Sequence, residues 1–176
     1  NLQGNAVLEE DSLGYDPSYC TGLKADGDIY FNEGTLTILH SGDGGKGISA
    51  DGNLYVNGDN INITTTGGGE VYQDATNTKD SYTATAIKVD GKIYFNTGIV
   101  TCNSTGLAGK GISADGDIII GQEGAANSLM QLNISTSGER FYVSGNGENA
   151  DYANPKAIKS DANVTVYSGT ITINCT

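Results

Sequence analysis

The stretch GGKGISADGNLY at 44–55 returns as AGKGISADGDII at 108–119, sixty-four residues further along the chain. Three related segments complete a set of five whose starts lie 25, 39, 25 and 46 residues apart, so short and long units alternate. Internal repetition at this period is typical of solenoid architectures. The five segments are GLKADGDIYF from Gly22, GISADGNLYV from Gly47, AIKVDGKIYF from Ala86, GISADGDIII from Gly111 and AIKSDANVTV from Ala157.

Each unit alternates apolar and polar residues, which is the period of a β-strand and not of a helix. We expect three short strands per unit, with matching residues stacked in columns along the axis. The columns predicted to face inward are Leu23, Ile48, Ile87, Ile112 and Ile158 in the first strand, followed by Ala25, Ala50, Val89, Ala114 and Ser160; Ile29, Leu54, Ile93, Ile118 and Val164, followed by Phe31, Val56, Phe95, Ile120 and Val166, in the second; and Leu36, Ile61, Val100, Leu132 and Ile171, followed by Ile38, Ile63, Cys102, Ile134 and Ile173, in the third.

This pattern predicts an all-β protein, a right-handed single-stranded parallel β-helix of about five rungs that occupies residues 22–176. Residues 1–21 are expected to form an N-terminal cap or the tail of a preceding rung. The long units carry extra segments at 67–85 and 138–156, which would lie together at one corner. An antiparallel meander or a β-sandwich is the alternative, but matching columns at one period would then be a coincidence.

Acidic residues outnumber basic ones by 21 to 9, which gives a net charge of −12. Such a field repels nucleic-acid phosphates and anionic lipid surfaces and favours cations. No window approaches the roughly 18 uninterrupted apolar residues of a membrane span. We therefore expect no nucleic-acid partner and no membrane insertion, and we find no signal peptide or anchor in the sequence. Cys20, Cys102 and Cys175 have neither a metal-binding spacing nor the pattern of a disulfide framework.

An aspartate occupies the same corner of every unit, and five stacked carboxylates would repel one another. Backbone N–H groups of the Asp-Gly turns are one compensation. Lys24, Lys88 and Lys159, two residues before an aspartate in alternate units, are a second. Calcium is a third, since it takes six to eight oxygen ligands. The candidate ligands are Asp26, Asp51, Asp90 and Asp115 from the repeated corner, with Asp161 less secure, and Asp43, Glu70 and Glu139 from the loops.

Tyr30, Tyr55 and Tyr94 take the outward position of the second strand in three successive units, so they are expected to form an exposed ladder. Phenol rings stack on sugar faces and keep a hydroxyl for hydrogen bonds, which makes these residues candidates for carbohydrate binding. Tyrosine is also common in strands and stacks across neighbouring ones, so a purely structural role is the alternative.

Catalytic features are weak. The single histidine, His40, has no evident partner and is expected at the surface. A β-helix lyase acting on uronates would need a basic side chain beside calcium to remove the α-proton. Arg140 with Lys110 or Lys156 is the available set. Cys102 replaces an inward isoleucine and is predicted to be a buried thiol.

The units KGISADGNLYVNGDNINITTTGGG and KGISADGDIII, with AIKVDGKIYFNTGIVT between them, resemble a family of bacterial extracellular carbohydrate-binding β-helix proteins. The resemblance covers about 22–176. It implies a pectate-lyase-like fold that carries calcium, affinity for plant polysaccharides including acidic ones, and an extracellular or cell-surface location. Ala162 replaces the glycine of the Asp-Gly corner in the fifth unit, which weakens a metal site at Asp161.

The sequence therefore leads to one main hypothesis and two alternatives. The main hypothesis is calcium-assisted, non-catalytic binding of an acidic, plant-type polysaccharide. A calcium-dependent polysaccharide lyase is the first alternative, and a structural or adhesin stalk without a glycan ligand is the second.

Overall fold

The computed structural model describes residues 1–11, 14–74, 76–125 and 129–176. These residues form β-strands and one short 3-10 turn at Gly147–Asn149, with no long apolar helix of the kind that crosses a bilayer. The strands are β1 Val7–Asp11, β2 Gly14–Ser18, β3 Thr21–Ala25, β4 Ile29–Phe31, β5 Gly34–His40, β6 Lys46–Ala50, β7 Leu54–Thr65, β8 Glu70–Gln73, β9 Lys79–Tyr82, β10 Thr85–Val89, β11 Ile93–Ser104, β12 Lys110–Ala114, β13 Ile118–Ile120, β14 Met130–Thr136, β15 Phe141–Ser144, β16 Asp151–Ala153, β17 Lys156–Ser160, β18 Val164–Val166 and β19 Thr170–Cys175.

Two parallel sheets contain the repeats. The first sheet has the order β17-β12-β10-β6-β3, so its strands stack in the order of the five units. The second sheet collects the remaining strands of each unit: β4 and β5 pair with β7, β7 pairs with β11, and β13, β14, β18 and β19 follow in the same direction. The all-β prediction is confirmed, and the antiparallel alternative is wrong for these two sheets because their pairs are parallel.

The predicted columns are confirmed by the strand register. Ile48 pairs with Leu23 on one side and with Ile87 on the other, and Ile112 continues the column to Ile158. The inward residues of both sheets meet in a single core whose largest fully buried side chain is that of Phe95. Stacked isoleucine, valine and leucine columns thus bury apolar surface in a chain that has three phenylalanines and no tryptophan.

The structure differs from the prediction of three separate strands per unit. In β7 and β11 the second and third predicted strands are one continuous strand of 12 residues. The register between β11 and β7 shifts between Phe95 and Gly98, which marks a β-bulge in the strand. Gly98 has a φ of 108°, which side chains disfavour, so glycine permits the bend without a break in the strand.

The last repeat is less buried than predicted. Val164, Val166 and Ile173 were expected inside, but they are 49%, 53% and 48% exposed. Within the described chain β18 pairs only with β13, and β19 only with β14. These side chains therefore have neighbours in their column on one side only, and they are exposed to solvent on the other side.

His40 lies in the core and not at the surface, so that prediction is wrong. Its ring is fully buried at the end of β5, where it begins a column of polar residues that continues with Thr65 and Ser104. Its Nε2–H donates to the carbonyl of Cys20 at 2.9 Å, and its Nδ1 accepts the Gly42 N–H at 3.1 Å. Both ring nitrogens are satisfied in the neutral form. Burial accordingly lowers the pKa of His40.

The corner that follows this column brings the backbones of successive repeats very close. A Cβ on Gly67, Gly106 or Gly138 would collide with the carbonyl of the glycine one repeat earlier. Antiparallel hairpins begin soon after two of these glycines, β8–β9 after Gly67 and β15–β16 after Gly138. They contain much of the two predicted extra segments, and β9 of the first hairpin contributes Ser81 and Tyr82 to the site described next.

Candidate functional site

A groove lies over the outer side of the first sheet, and we name it the lysine groove. It consists of two cavities of about 490 Å³ and 150 Å³ that share Tyr19 and Lys46 in their walls. The larger cavity lies over the first repeats and includes Thr21 and Asp51. The smaller one continues towards the later repeats and is lined by residues of β9, β10, β12 and β17.

Two rows of residues run along the outer side of the first sheet, one residue from each repeat, and all of them except Lys156 line the two cavities. Together the rows hold six of the eight lysines of the chain. They are the unpaired row, Thr21, Lys46, Thr85, Lys110 and Lys156, and the paired row, Lys24, Ser49, Lys88, Ser113 and Lys159, each in register through β3, β6, β10, β12 and β17.

The paired row takes its name from ion pairs with the aspartates at the end of the same strands. Lys88 Nζ lies 2.8 Å from Asp90 Oδ1 and 2.6 Å from Asp115 Oδ1, so one ammonium bridges two successive repeats. Lys24 contacts the first two aspartates of the corner in the same way, and Lys159 contacts Asp161 at 2.6 Å. The predicted compensation of the aspartates by lysines is therefore confirmed.

The aspartate row, Asp26, Asp51, Asp90, Asp115 and Asp161, is stacked as predicted, since the N–H of each from Asp51 onward donates to the preceding repeat. In the described residues no group of three or more His, Cys, Asp or Glu side chains is arranged to hold a metal ion. Calcium at this row stays a prediction.

Asp43, Glu70 and Glu139 do not join the aspartate row. Asp43 precedes β6, whereas Asp51 follows it, so the five-residue strand separates them by roughly 15 Å. Asp43 Oδ1 accepts the Gly68 N–H at 2.6 Å, and Glu70 Oε2 accepts the Tyr82 hydroxyl at 3.0 Å. Glu139 precedes the β15–β16 hairpin, where its carbonyl accepts the Ala108 N–H. Two of these carboxylates thus serve the turns and walls of their own corner.

The unpaired row is electrostatically different from the paired one. None of its lysines has a carboxylate oxygen within ion-pair distance in the described part of the chain. Lys46 Nζ instead lies 3.5 Å from the centroid of the Tyr19 ring. Burial, followed by repulsion from Lys88, lowers the pKa of Lys46 to about 8. Burial also lowers the pKa of Lys110, with Lys156 the next cause.

Tyr19 and Tyr82 form the wall of the groove, and Tyr72 packs on Tyr82 behind it without lining either cavity. Tyr19 and Tyr82 meet edge to face at 6.4 Å between ring centroids, and Tyr72 lies 6.3 Å from Tyr82. Burial raises the pKa of all three phenols to about 12, so their hydroxyls remain neutral at physiological pH. Aromatic faces, neutral hydroxyls and ammonium groups therefore line the same cleft.

The predicted tyrosine ladder, Tyr30, Tyr55 and Tyr94, is present on the outer face of the second sheet. Its rings are nearly parallel, at 4.6 Å and 4.8 Å between successive centroids. Each contact covers one face of both rings, so both faces of Tyr55 are occupied by its neighbours. Tyr30 is 58% exposed, and its hydroxyl donates to Asp28 at 3.0 Å. The ladder is confirmed as a structure, and its carbohydrate-binding role stays a prediction.

A second ladder, of asparagines, was not predicted. Asn57 Nδ2 donates to Asn32 Oδ1 at 2.9 Å, and Asn96 Nδ2 donates to Asn57 Oδ1 at 2.7 Å. An available signal was that asparagine follows tyrosine by two residues in all three units that contain the tyrosine ladder.

The unpaired row and the placement of Tyr19 over it were also missed from sequence. Lys46 and Lys110 each begin the KGIS of the repeated motif, so their recurrence was visible. Tyr19 and Tyr82 belong to segments outside the repeat, and no period places them over it. Arg140, the proposed lyase residue, stacks on Tyr152 at 4.2 Å in the β15–β16 hairpin region. Lys110 and Lys156 are neighbours in the unpaired row.

Comparison with known proteins identifies the family. A family model described as carbohydrate-binding domain-containing protein matches residues 17–130, which include Tyr19, Tyr82, Lys46, Lys110 and the tyrosine ladder. No curated protein and no solved structure matches the chain. The family match covers well over half of the sequence, and the chain belongs to the family of carbohydrate-binding domain-containing proteins.

Proposed function

We propose that the chain binds an acidic polysaccharide, without cleaving it, in the lysine groove. The observation that carries the proposal is the unpaired row: half-buried ammonium groups without a counter-ion, beside Tyr19, in a protein of net charge −12. An ammonium taken partly out of water is costly unless an anion accompanies it. A uronate carboxylate would supply that anion through charge-assisted hydrogen bonds.

The other groups in the groove suit the rest of a sugar. The Tyr19 ring offers apolar surface for sugar C–H groups, and the serine and threonine hydroxyls of the two rows exchange hydrogen bonds with sugar hydroxyls. Five repeats at about 4.8 Å give the groove a length of roughly 19 Å, which suits an extended chain rather than a single sugar.

The proposal includes the architecture and the location suggested by the sequence. The stacking of both sheets in repeat order supports successive coils of a right-handed parallel β-helix, with the groove along its axis. A plant-type polysaccharide and an extracellular or cell-surface location rest on the resemblance of the repeats. Calcium assistance remains part of the sequence-based hypothesis, but no contact in the present proposal depends on it.

The alternatives make different demands on the residues. A lyase needs a base placed at the substrate's α-carbon. Arg140 packs on Tyr152 and is absent from the walls of the groove cavities in the described residues, which favours binding over cleavage. The tyrosine ladder is a second candidate binding surface. Because its rings cover each other, it offers a sugar mainly ring edges and hydroxyls. A stalk would bind no glycan.

The test is retention of the protein on immobilised polygalacturonate, with a neutral polymer as the reference. We expect retention on the acidic polymer, no rise in absorbance from unsaturated products, and loss of retention in Tyr19→Ala. Tyr30→Ala, which removes the most exposed ring of the ladder, is the matched control. Product formation would support the lyase. Loss in Tyr30→Ala alone would move the site to the ladder, and binding to neither polymer would contradict the proposal.

A further inference from the structure

We propose that the unpaired row recognises how negative charges are spaced along the bound polysaccharide, so that Lys46, Lys110 and Lys156 determine specificity. This inference rests on the proposed function, and it adds the pattern of charge to the class of ligand. The favoured ligand is a polyuronate with its free carboxylates in blocks, not scattered singly among neutral residues.

The spacing follows from the register of the first sheet. Lys46 and Lys110 both pair with Thr85, so they stand two repeats apart, at roughly 10 Å. Lys110 pairs directly with Lys156, one repeat further and roughly 5 Å away. Threonine occupies the row at the first and third repeats. The Cα atoms of the three lysines are therefore held at unequal intervals by the β-sheet and not by a flexible loop.

The paired row adds little positive charge to this pattern, because aspartates already neutralise its lysines. Lys88 is held between Asp90 and Asp115, and Lys159 is held by Asp161. A ligand carboxylate approaching these lysines would meet aspartates at the same time. It would meet no such carboxylate within ion-pair distance of the unpaired lysines in the described structure. The cations open to a ligand are thus those of one row.

The rigid spacing also limits which ligands neutralise the row. A chain with adjacent carboxylates can serve Lys110 and Lys156 together and still reach Lys46. A chain in which the same number of carboxylates is scattered satisfies one lysine and leaves the others half-buried and uncompensated. The loss of one such charge-assisted contact corresponds to a roughly tenfold decrease in affinity.

Two polygalacturonate samples with equal average methyl-esterification test the inference, one with its free acids in blocks and one with random free acids. We expect the wild type to bind the blockwise sample roughly tenfold more tightly. The double variant Lys46→Gln, Lys110→Gln should bind both samples equally weakly. Lys79→Gln, which loses one charge on β9, outside the first sheet and its two rows, should keep the preference. Circular dichroism melts of each variant verify folding.

Each result has a distinct meaning. Equal affinity of the wild type for the two samples overturns the inference while it leaves acidic-polysaccharide binding intact. A double variant that is folded and still prefers blocks also overturns it. No binding of the wild type to either sample, or to fully de-esterified polymer, contradicts the proposed function instead. Lys110→Arg, which keeps the charge at the same place, is expected to retain the preference.

Discussion

The outer faces of the two sheets differ in how their stacked side chains interact with one another. Both present one side chain per repeat at about 4.8 Å, so identical groups are forced together along the axis. On the second sheet the neighbours satisfy each other, as tyrosines stack on tyrosines and asparagines donate to asparagines. On the first sheet the lysines repel each other, and in the described residues aspartates offset this in the paired row alone.

This difference indicates which outer face contributes to the stability of the fold and which face is available to a ligand. Side chains that complete each other's interactions lower the free energy of the fold and offer little to a ligand. Side chains held in place without partners cost stability, and an anion that binds there regains it. Under the proposed function the first face serves recognition, and the carbohydrate-binding role of the tyrosine ladder on the second face stays a prediction.

The largest effect is expected from the tyrosine ladder. Tyr55→Ala removes two stacked contacts, each worth about 1 kcal/mol, and should lower the free energy of unfolding by about 2 kcal/mol or more. Tyr30→Ala removes one contact and should cost about half as much. Urea denaturation measures both. Equal costs for the two variants would contradict the stacking argument. Loss of glycan retention in Tyr55→Ala without loss of stability would instead show that the ladder is a binding surface.

A smaller effect is expected from the pH dependence of binding in the lysine groove. Since the pKa of Lys46 is lowered to about 8, its charge is present below that pH and is lost as the pH rises through it. Affinity for polygalacturonate should fall by up to roughly tenfold between pH 7 and pH 9. Titration by isothermal calorimetry measures it.

The control keeps the charge at the same position. Lys46→Arg retains a cation beside Tyr19 whose pKa lies far above this range. Its affinity should therefore change much less between pH 7 and pH 9. A wild type whose affinity is constant over this interval would show that Lys46 does not contact the ligand.

The next effect concerns the corner between the two sheets, where His40 is buried. Its pKa is lowered by burial, so the unfolded chain binds a proton more readily than the folded one does. Stability should then decline as the pH falls through the unfolded value, near 6.5. His40→Gln, which keeps polar atoms but does not titrate, should flatten the pH dependence of Tm between pH 7 and pH 5. The same decline in both proteins would assign it to other groups.

Much of the fold was predictable from the sequence because one period controls it. The residues in register with Ile48 follow directly from the alignment of the repeats. The merging of strands at Gly98 was not predictable, since the inward alternation changes phase between Phe95 and Val100, and only the pairing with β7 shows that the strand continues across the bulge. The alternation of Leu36 and Ile38 places His40 inward as well, but no local pattern specifies the backbone groups of residues 20 and 42 that satisfy its ring.

The site was less predictable than the fold. The tyrosine ladder lies within the repeat and was found. The lysine groove depends on the wall, and Tyr19 lies outside the repeated motif, so its contact with Lys46 is not visible in the alignment of the repeats. The distinction between the two lysine rows requires distances to the aspartates, and those exist only once the sheet has formed.

The smallest effect is expected from calcium. If lysines neutralise the aspartate row, a chelator should leave the Tm of the wild type unchanged, and a Tm that falls would establish a structural calcium ion. The variant Lys88→Gln gives a more sensitive test of whether lysines neutralise the aspartate row. This variant leaves Asp90 and Asp115 without their shared ammonium, so added calcium should raise its Tm. Lys79→Gln has the same change in net charge without that loss and should not respond. A response of equal size in all three proteins would mean that calcium binds elsewhere and that the lysines do not decide the charge balance of this corner.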